Sequence, residues 1–82
     1  MDRFHFNVVD GGEHPDPGGT ELDGVEAARN QALLAAGEML RDAGKHGGPF
    51  SKDWTMTVTD SHGLVLFTLT FNLWESAAVR GP

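Results

Sequence analysis

The chain contains no cysteine. No disulfide and no thiolate metal site can therefore compensate for a small core, and a reducing compartment suits it. Basic residues are scarce: six Lys and Arg stand against twelve Asp and Glu, for a net charge of −6. That charge repels phosphate backbones and anionic membrane surfaces, so neither nucleic acid nor membrane is an expected partner. No apolar run approaches the ~18 residues of a membrane span. The opening "MDRFHFNVVD" lacks the basic-then-apolar layout of a secretory signal. A soluble cytoplasmic protein is the expectation. Its 82 residues suffice for one small domain. A domain of that size buries only about 60–65% of its unfolded surface, so stability is expected to be modest.

What is present is patterned. In "RFHFNVVD", Phe4, Phe6 and Val8 alternate with His5 and Asn7, the signature of a half-buried strand. "GGEHPDPGGTEL" gathers glycine, proline and acids into a surface loop. Thr20 to Leu22 offers an additional short strand against the first. "DGVEAARNQALLAAGEMLRDAGKHGG" reads as a helix opened by Asp23 and Glu26, close to a capping box. At 100° per residue Val25, Ala28, Ala32, Ala36, Met39, Leu40 and Ala43 form one stripe, with Leu33 at its margin. Gly44 stands where a left-handed C-cap belongs, and Gly47, Gly48 and Pro49 prevent continuation. Four alanines in the stripe let the helix lie close to whatever it covers.

The stretch "TVTDSHGLVLFTLTF" holds Asp60, Ser61 and His62, the residue types of a nucleophilic triad. Adjacent residues on a turn cannot set a base against a nucleophile with a carboxylate behind it. A hairpin with His62 and Gly63 at its centre explains them better. It opposes Val58 to Phe67, Met56 to Leu69 and Trp54 to Phe71 on one face. Thr57 then meets Thr68 and Thr55 meets Thr70 on the other. A slip of one residue mixes the faces, so burial selects this register. His62-Gly63 is then predicted to be a type I′ turn with positive φ at both residues.

The fold class expected is α+β: a three-stranded antiparallel sheet in the order β-α-β-β, with one long helix packed on one face. The predicted sheet core is Phe4, Phe6, Val8, Trp54, Met56, Val58, Val65, Phe67, Leu69 and Phe71. The last strand carries most apolar residues and is placed in the middle, which makes "WTMTVT" an edge without charge or proline. Residues 1–75 form the expected domain and 76–82 a flexible tail.

Candidate sites follow. Asp10, Glu13, Asp16 and Glu21 belong to an acidic stretch with no Lys or Arg between Phe4 and Ala28. Thr55, Thr57, Thr59, Leu66, Thr68 and Thr70 form an uncharged face, and Trp74 past the last strand is a contact residue or a lid on the core. Asp10, Glu13, His14 and Asp16 could gather around a metal, but they match neither the calcium-loop pattern nor zinc spacing. No cofactor, metal or catalytic residue is assigned. The leading expectation is a non-enzymatic acidic protein-interaction module, a homodimer through an exposed sheet edge or the threonine face, or a binder of another protein. One alternative is an inhibitor or nucleic-acid mimic filling a basic groove with its acidic face. A second is a small metal-dependent enzyme built on the loop cluster.

The stretches "RFHFNVVDGG", "TELDGVEAARNQAL" and "MTVTDSHGLVLFTLTF" resemble a small uncharacterised family common in alphaproteobacteria. Its pattern is R-[FY]-x-F-x-V-x-D-G, then E-A-A-R, then V-x-D-x-x-G-x-V-L. The similarity spans about Arg3 to Asn72. Its motifs are short and mostly structural, and it offers no catalytic residues to carry over.

Overall fold

A computed structural model describes residues 1–46, 53–73 and 76. Strand β1 runs Asp2–Val9, β2 is Glu13–His14 and β3 is Thr20–Leu22. Helix α1 spans Val25–His46, followed by β4 at Asp53–Thr59 and β5 at Val65–Asn72. The strands form one antiparallel sheet in the order β2-β1-β4-β5, with β3 also paired to β1. This is the expected α+β class, including the short strand at 20–22, with Phe4 opposite Thr20 and Asp2 opposite Leu22. The two-residue β2 lies inside the stretch predicted to be loop. Gly11 (φ 102°) and the Asp10 N–H to Gly12 carbonyl bond of 3.1 Å turn the chain back along β1.

The hairpin pairs as the alternation predicts: Val58 with Phe67, Met56 with Leu69, Trp54 with Phe71, Thr57 with Thr68 and Thr55 with Thr70. Its turn differs from the prediction. Among the described residues only glycines have positive φ, so His62 does not, and the type I′ turn is not formed. Instead Ser61, His62 and Gly63 make a three-residue loop. Gly63 N–H donates to the Asp60 carbonyl (3.1 Å), Asp60 N–H to the Leu64 carbonyl (3.0 Å), and Gly63 takes φ 83°. Such a loop alone would place Leu66 opposite Val58. The ladder instead steps from Thr59↔Val65 to Val58↔Phe67, leaving Leu66 as an extra residue. The bulge restores the register that keeps both faces sorted.

The strand order corrects the prediction. β4, not β5, lies in the middle, with Phe6 opposite Val58 and Val8 opposite Met56. An α-helix is about 10 Å wide and strands lie about 4.8 Å apart, so one helix covers roughly two strands. Helix α1 packs on β4 and β3. Phe4, Val8, Trp54, Met56 and Val58 are buried beneath it with Ala28, Ala32 and Ala36. Full burial of Phe4, Met56 or Val58 contributes about 1.5–3 kcal/mol each. Phe6, Phe67, Leu69 and Phe71 are only half-buried, and Val65, predicted to be core, is 54% exposed. Apolar content alone did not decide which strand is central. Between Asp53, at its start, and Asp60 the strand β4 carries no charge, which suits an interior strand that needs no edge protection.

Helix α1 also departs in detail. The Gly24 carbonyl accepts the first helical hydrogen bond, from Ala28 N–H at 3.1 Å, so Gly24 rather than Asp23 stands at the cap. The helix runs through Gly44, so the predicted C-cap is not there, and Gly47 to Pro49 lie outside the described residues. Of the predicted stripe, Val25, Met39 and Leu40 are exposed, as is Leu33. No helix among the described residues is long and apolar enough to cross a membrane.

Candidate interaction surface

The two edges of the sheet are built differently. On the outer side of β1, β2 pairs with Val8 and Val9, and β3 with Asp2 to Phe4, which leaves the middle of the strand between them. Asp16 fills that place. Its Oδ2 accepts the Phe6 N–H at 3.1 Å and its Oδ1 the Gly19 N–H at 3.2 Å. Its own N–H donates to Asn7 Oδ1 at 2.9 Å, and its carbonyl accepts from His5 Nδ1 at 2.7 Å. Arg3 donates to the Gly18 carbonyl at 2.7 Å and pairs with Glu21 at 2.9 Å. The loop between β2 and β3 is thus bound along β1 and closes that edge.

The acidic candidates are distributed by this arrangement rather than massed. Asp10 pairs with His14 at 2.9 Å, Glu21 with Arg3, and Asp16 with backbone N–H groups, while Glu13 is exposed on β2. No group of three His, Asp or Glu among the described residues is placed to hold a metal ion. Asp10 and His14 meet, but Asp16 faces the middle of β1 instead.

The Asp-Ser-His stretch forms the turn at the end of β4. Asp60 Oδ1 accepts the backbone N–H groups of His62 at 2.8 Å and Leu64 at 2.9 Å. The Leu64 N–H, above all, holds the Asp60 carboxyl below the usual carboxylate range, with help from the His62 N–H and imidazole. A shallow cleft of about 250 Å³ lies between this turn, the start of β1 and the first turn of α1, lined by Asp2, Phe4, Val25, Asp60, Ser61, His62 and Leu66. The carboxylate that would orient a base is engaged by the turn's main chain.

The opposite edge is β5, which pairs only with β4 among the described residues. Thr68 and Thr70 are exposed on its outer face, beside half-buried Thr57 and Thr55 of β4. Thr59 and Asn7 continue that face, Asn7 Nδ2 reaching the Thr57 carbonyl at 3.4 Å. Thr57, predicted to lie on an edge strand, is interior. Leu66 leaves the threonine face: the bulge turns it to the helix side, where it packs against the buried core. Trp74 lies outside the described residues, as does the tail except Ser76. The sequence did carry a signal for the missed β2, the Asp10-Gly11-Gly12 turn. Nothing in a lone aspartate marked Asp16 as the residue that closes an edge.

The architecture defines a small α+β domain, one long helix laid on an antiparallel sheet, with one edge closed by its own loop. A family model for a domain of unknown function (DUF6894) matches residues 3–72, and the chain belongs to that family. No curated protein and no solved structure matches it.

Proposed function

We propose that the domain is a non-enzymatic protein-interaction module whose docking element is the β5 side of the sheet. The observation that supports this is the contrast between the two edges. β1 is sealed by Asp16, Arg3 and the β2–β3 loop, whereas β5 has a strand neighbour on one side only among the described residues. Natural edges are commonly guarded by lysine, proline or inward charge. From Ser61 to Asn72 the chain holds no Asp, Glu, Lys, Arg or proline. Its one bulge, at Leu66, lies next to the turn and leaves the rest of the strand regular. A strand of a partner protein, or of a second copy, would gain main-chain hydrogen bonds there and cover the half-buried Phe67 and Leu69. The alternative of an acidic groove-filling mimic draws less support, because Asp10, Asp16 and Glu21 are already engaged within the domain.

The test uses immobilised wild-type protein and the double variant Thr68→Lys/Thr70→Lys. Both side chains are exposed, so lysine guards the edge without entering the core. Chains retained from a cell extract by the wild type should be lost with the variant. Equal retention by both would refute docking at β5.

A further inference from the structure

Resting on that reading, we infer that the occupant of the β5 edge is β5 of a second copy, paired antiparallel about a two-fold axis at Leu69. Charge argues for this partner. Two chains of net charge −6 repel, and they can meet at close range only where acids are absent. Asp10, Glu13, Asp16 and Glu21 all lie by β1, with β4 between that strand and β5. From Ser61 to Asn72 the chain holds no Asp, Glu, Lys or Arg, and the acids beside β5, Asp53 opposite Asn72 and Asp60 at the turn, stand at its two ends. Between them a basic partner strand would find no counter-charge, while an equally neutral strand would meet no repulsion.

The side-chain pattern matches itself as well. In an antiparallel pair centred on Leu69, Leu69 faces its own copy and Thr68 faces Thr70 of the second copy. Hydroxyls meet hydroxyls on the outer face, and apolar groups meet apolar groups on the helix side. The same sorting of faces sets the β4–β5 register within the domain. An isologous contact of this kind closes after two copies. It also supplies apolar neighbours that one helix, about two strands wide, cannot give to Phe67 and Leu69. A contact along a single strand about 26 Å long falls short of the ~800 Å² per partner of a standard interface. The dimer is therefore reversible, with a dissociation constant in the micromolar range.

Sedimentation equilibrium from about 10 µM to about 1 mM brackets that range. The wild type should pass from monomer to dimer, and Thr68→Lys/Thr70→Lys should weaken association by about tenfold or more. Because the chain has no cysteine, disulfide trapping reads the register. An oxidised mixture of Thr68→Cys and Thr70→Cys should give chiefly the mixed covalent dimer, since directly opposed residues lie within disulfide reach and diagonal ones do not. A wild type that stays monomeric to about 1 mM overturns the second copy as occupant and leaves docking at β5 to the retention experiment. A dimer untouched by the lysines overturns both. A lysine-sensitive dimer that traps Thr68→Cys with itself, or Thr70→Cys with itself, overturns the axis at Leu69.

Discussion

The side chain of Asp16 occupies the place of a missing strand residue: its carboxylate takes the Phe6 N–H at 3.1 Å where β1 has neither β2 nor β3 beside it. The same carboxylate takes the Gly19 N–H, so one residue ends the loop and completes the sheet edge. Removing it leaves two partly buried N–H groups without an acceptor. Asp16→Ala should therefore lower stability by about 1–3 kcal/mol. Asp16→Asn, which retains one carbonyl oxygen, should lose less. Asp10→Ala removes only an exposed pair with His14 and should change stability by less than about 0.5 kcal/mol. Urea midpoints at constant m-value decide the comparison. Equal effects at the two positions would show that the Asp16 bonds add nothing.

Two glycines should respond to alanine in opposite directions. Gly19 has φ 67°, and a Cβ there would stand 2.8 Å from the Phe4 carbonyl oxygen and 2.9 Å from Arg3 Cγ. The left-handed backbone alone costs an L-residue about 1–2 kcal/mol. The backbone contact cannot yield without moving β1, so Gly19→Ala should destabilise by at least that amount. Gly37 lies within α1, and a Cβ there meets nothing within 4 Å. Gly37→Ala should stabilise by about 0.5–1 kcal/mol. Thermal melts of both variants check the signs together.

The legibility of this fold divides along physical lines. Alternation and helical periodicity are local, so the four main elements and the β4–β5 pairing could be read from Phe4, Ala28, Met56 and Leu69 alone. Strand order is not local. It depended on the width of the helix and on which strands it reaches, and counting apolar residues in Val65 to Phe71 placed the wrong strand in the centre. At His62 a two-residue turn and a three-residue loop with a bulge give the same ladder beyond Val58, so the side-chain pattern does not distinguish them. The acidic residues looked alike in sequence. Only the fold separates Asp16, tied to main chain, from Glu13, exposed on β2.

Amide exchange distinguishes the observed strand order from the predicted one. With β4 flanked by β1 and β5, its amides are paired on both sides, and Met56 to Val58 should exchange most slowly in the sheet. From Phe67 to Thr70, amides directed at β4 should be slow and those directed away fast, in alternation. Had β5 been central, β4 would show the alternation instead. The measurement belongs at low protein concentration, where the proposed pairing of two copies would not protect β5.

The last prediction concerns acid. Asp60 binds the N–H groups of His62 and Leu64 through its carboxylate, and these bonds, the Leu64 one first, lower its pKa in the folded chain. In the unfolded chain the group titrates at its ordinary value of 3.8. Above that value it is ionised in both states, and its contribution to stability is complete. As pH falls, the unfolded chain binds its proton first, so the free-energy difference shrinks. It is gone once the pH has passed below the depressed folded value. Asp60→Asn retains a side-chain oxygen for the turn but cannot titrate. Its stability profile should therefore be flatter than that of the wild type below pH 3.8, with the two profiles parallel near neutrality. Denaturant melts across the acid range measure this directly. Parallel profiles down to the most acidic point would mean that the turn does not distinguish charged from neutral Asp60.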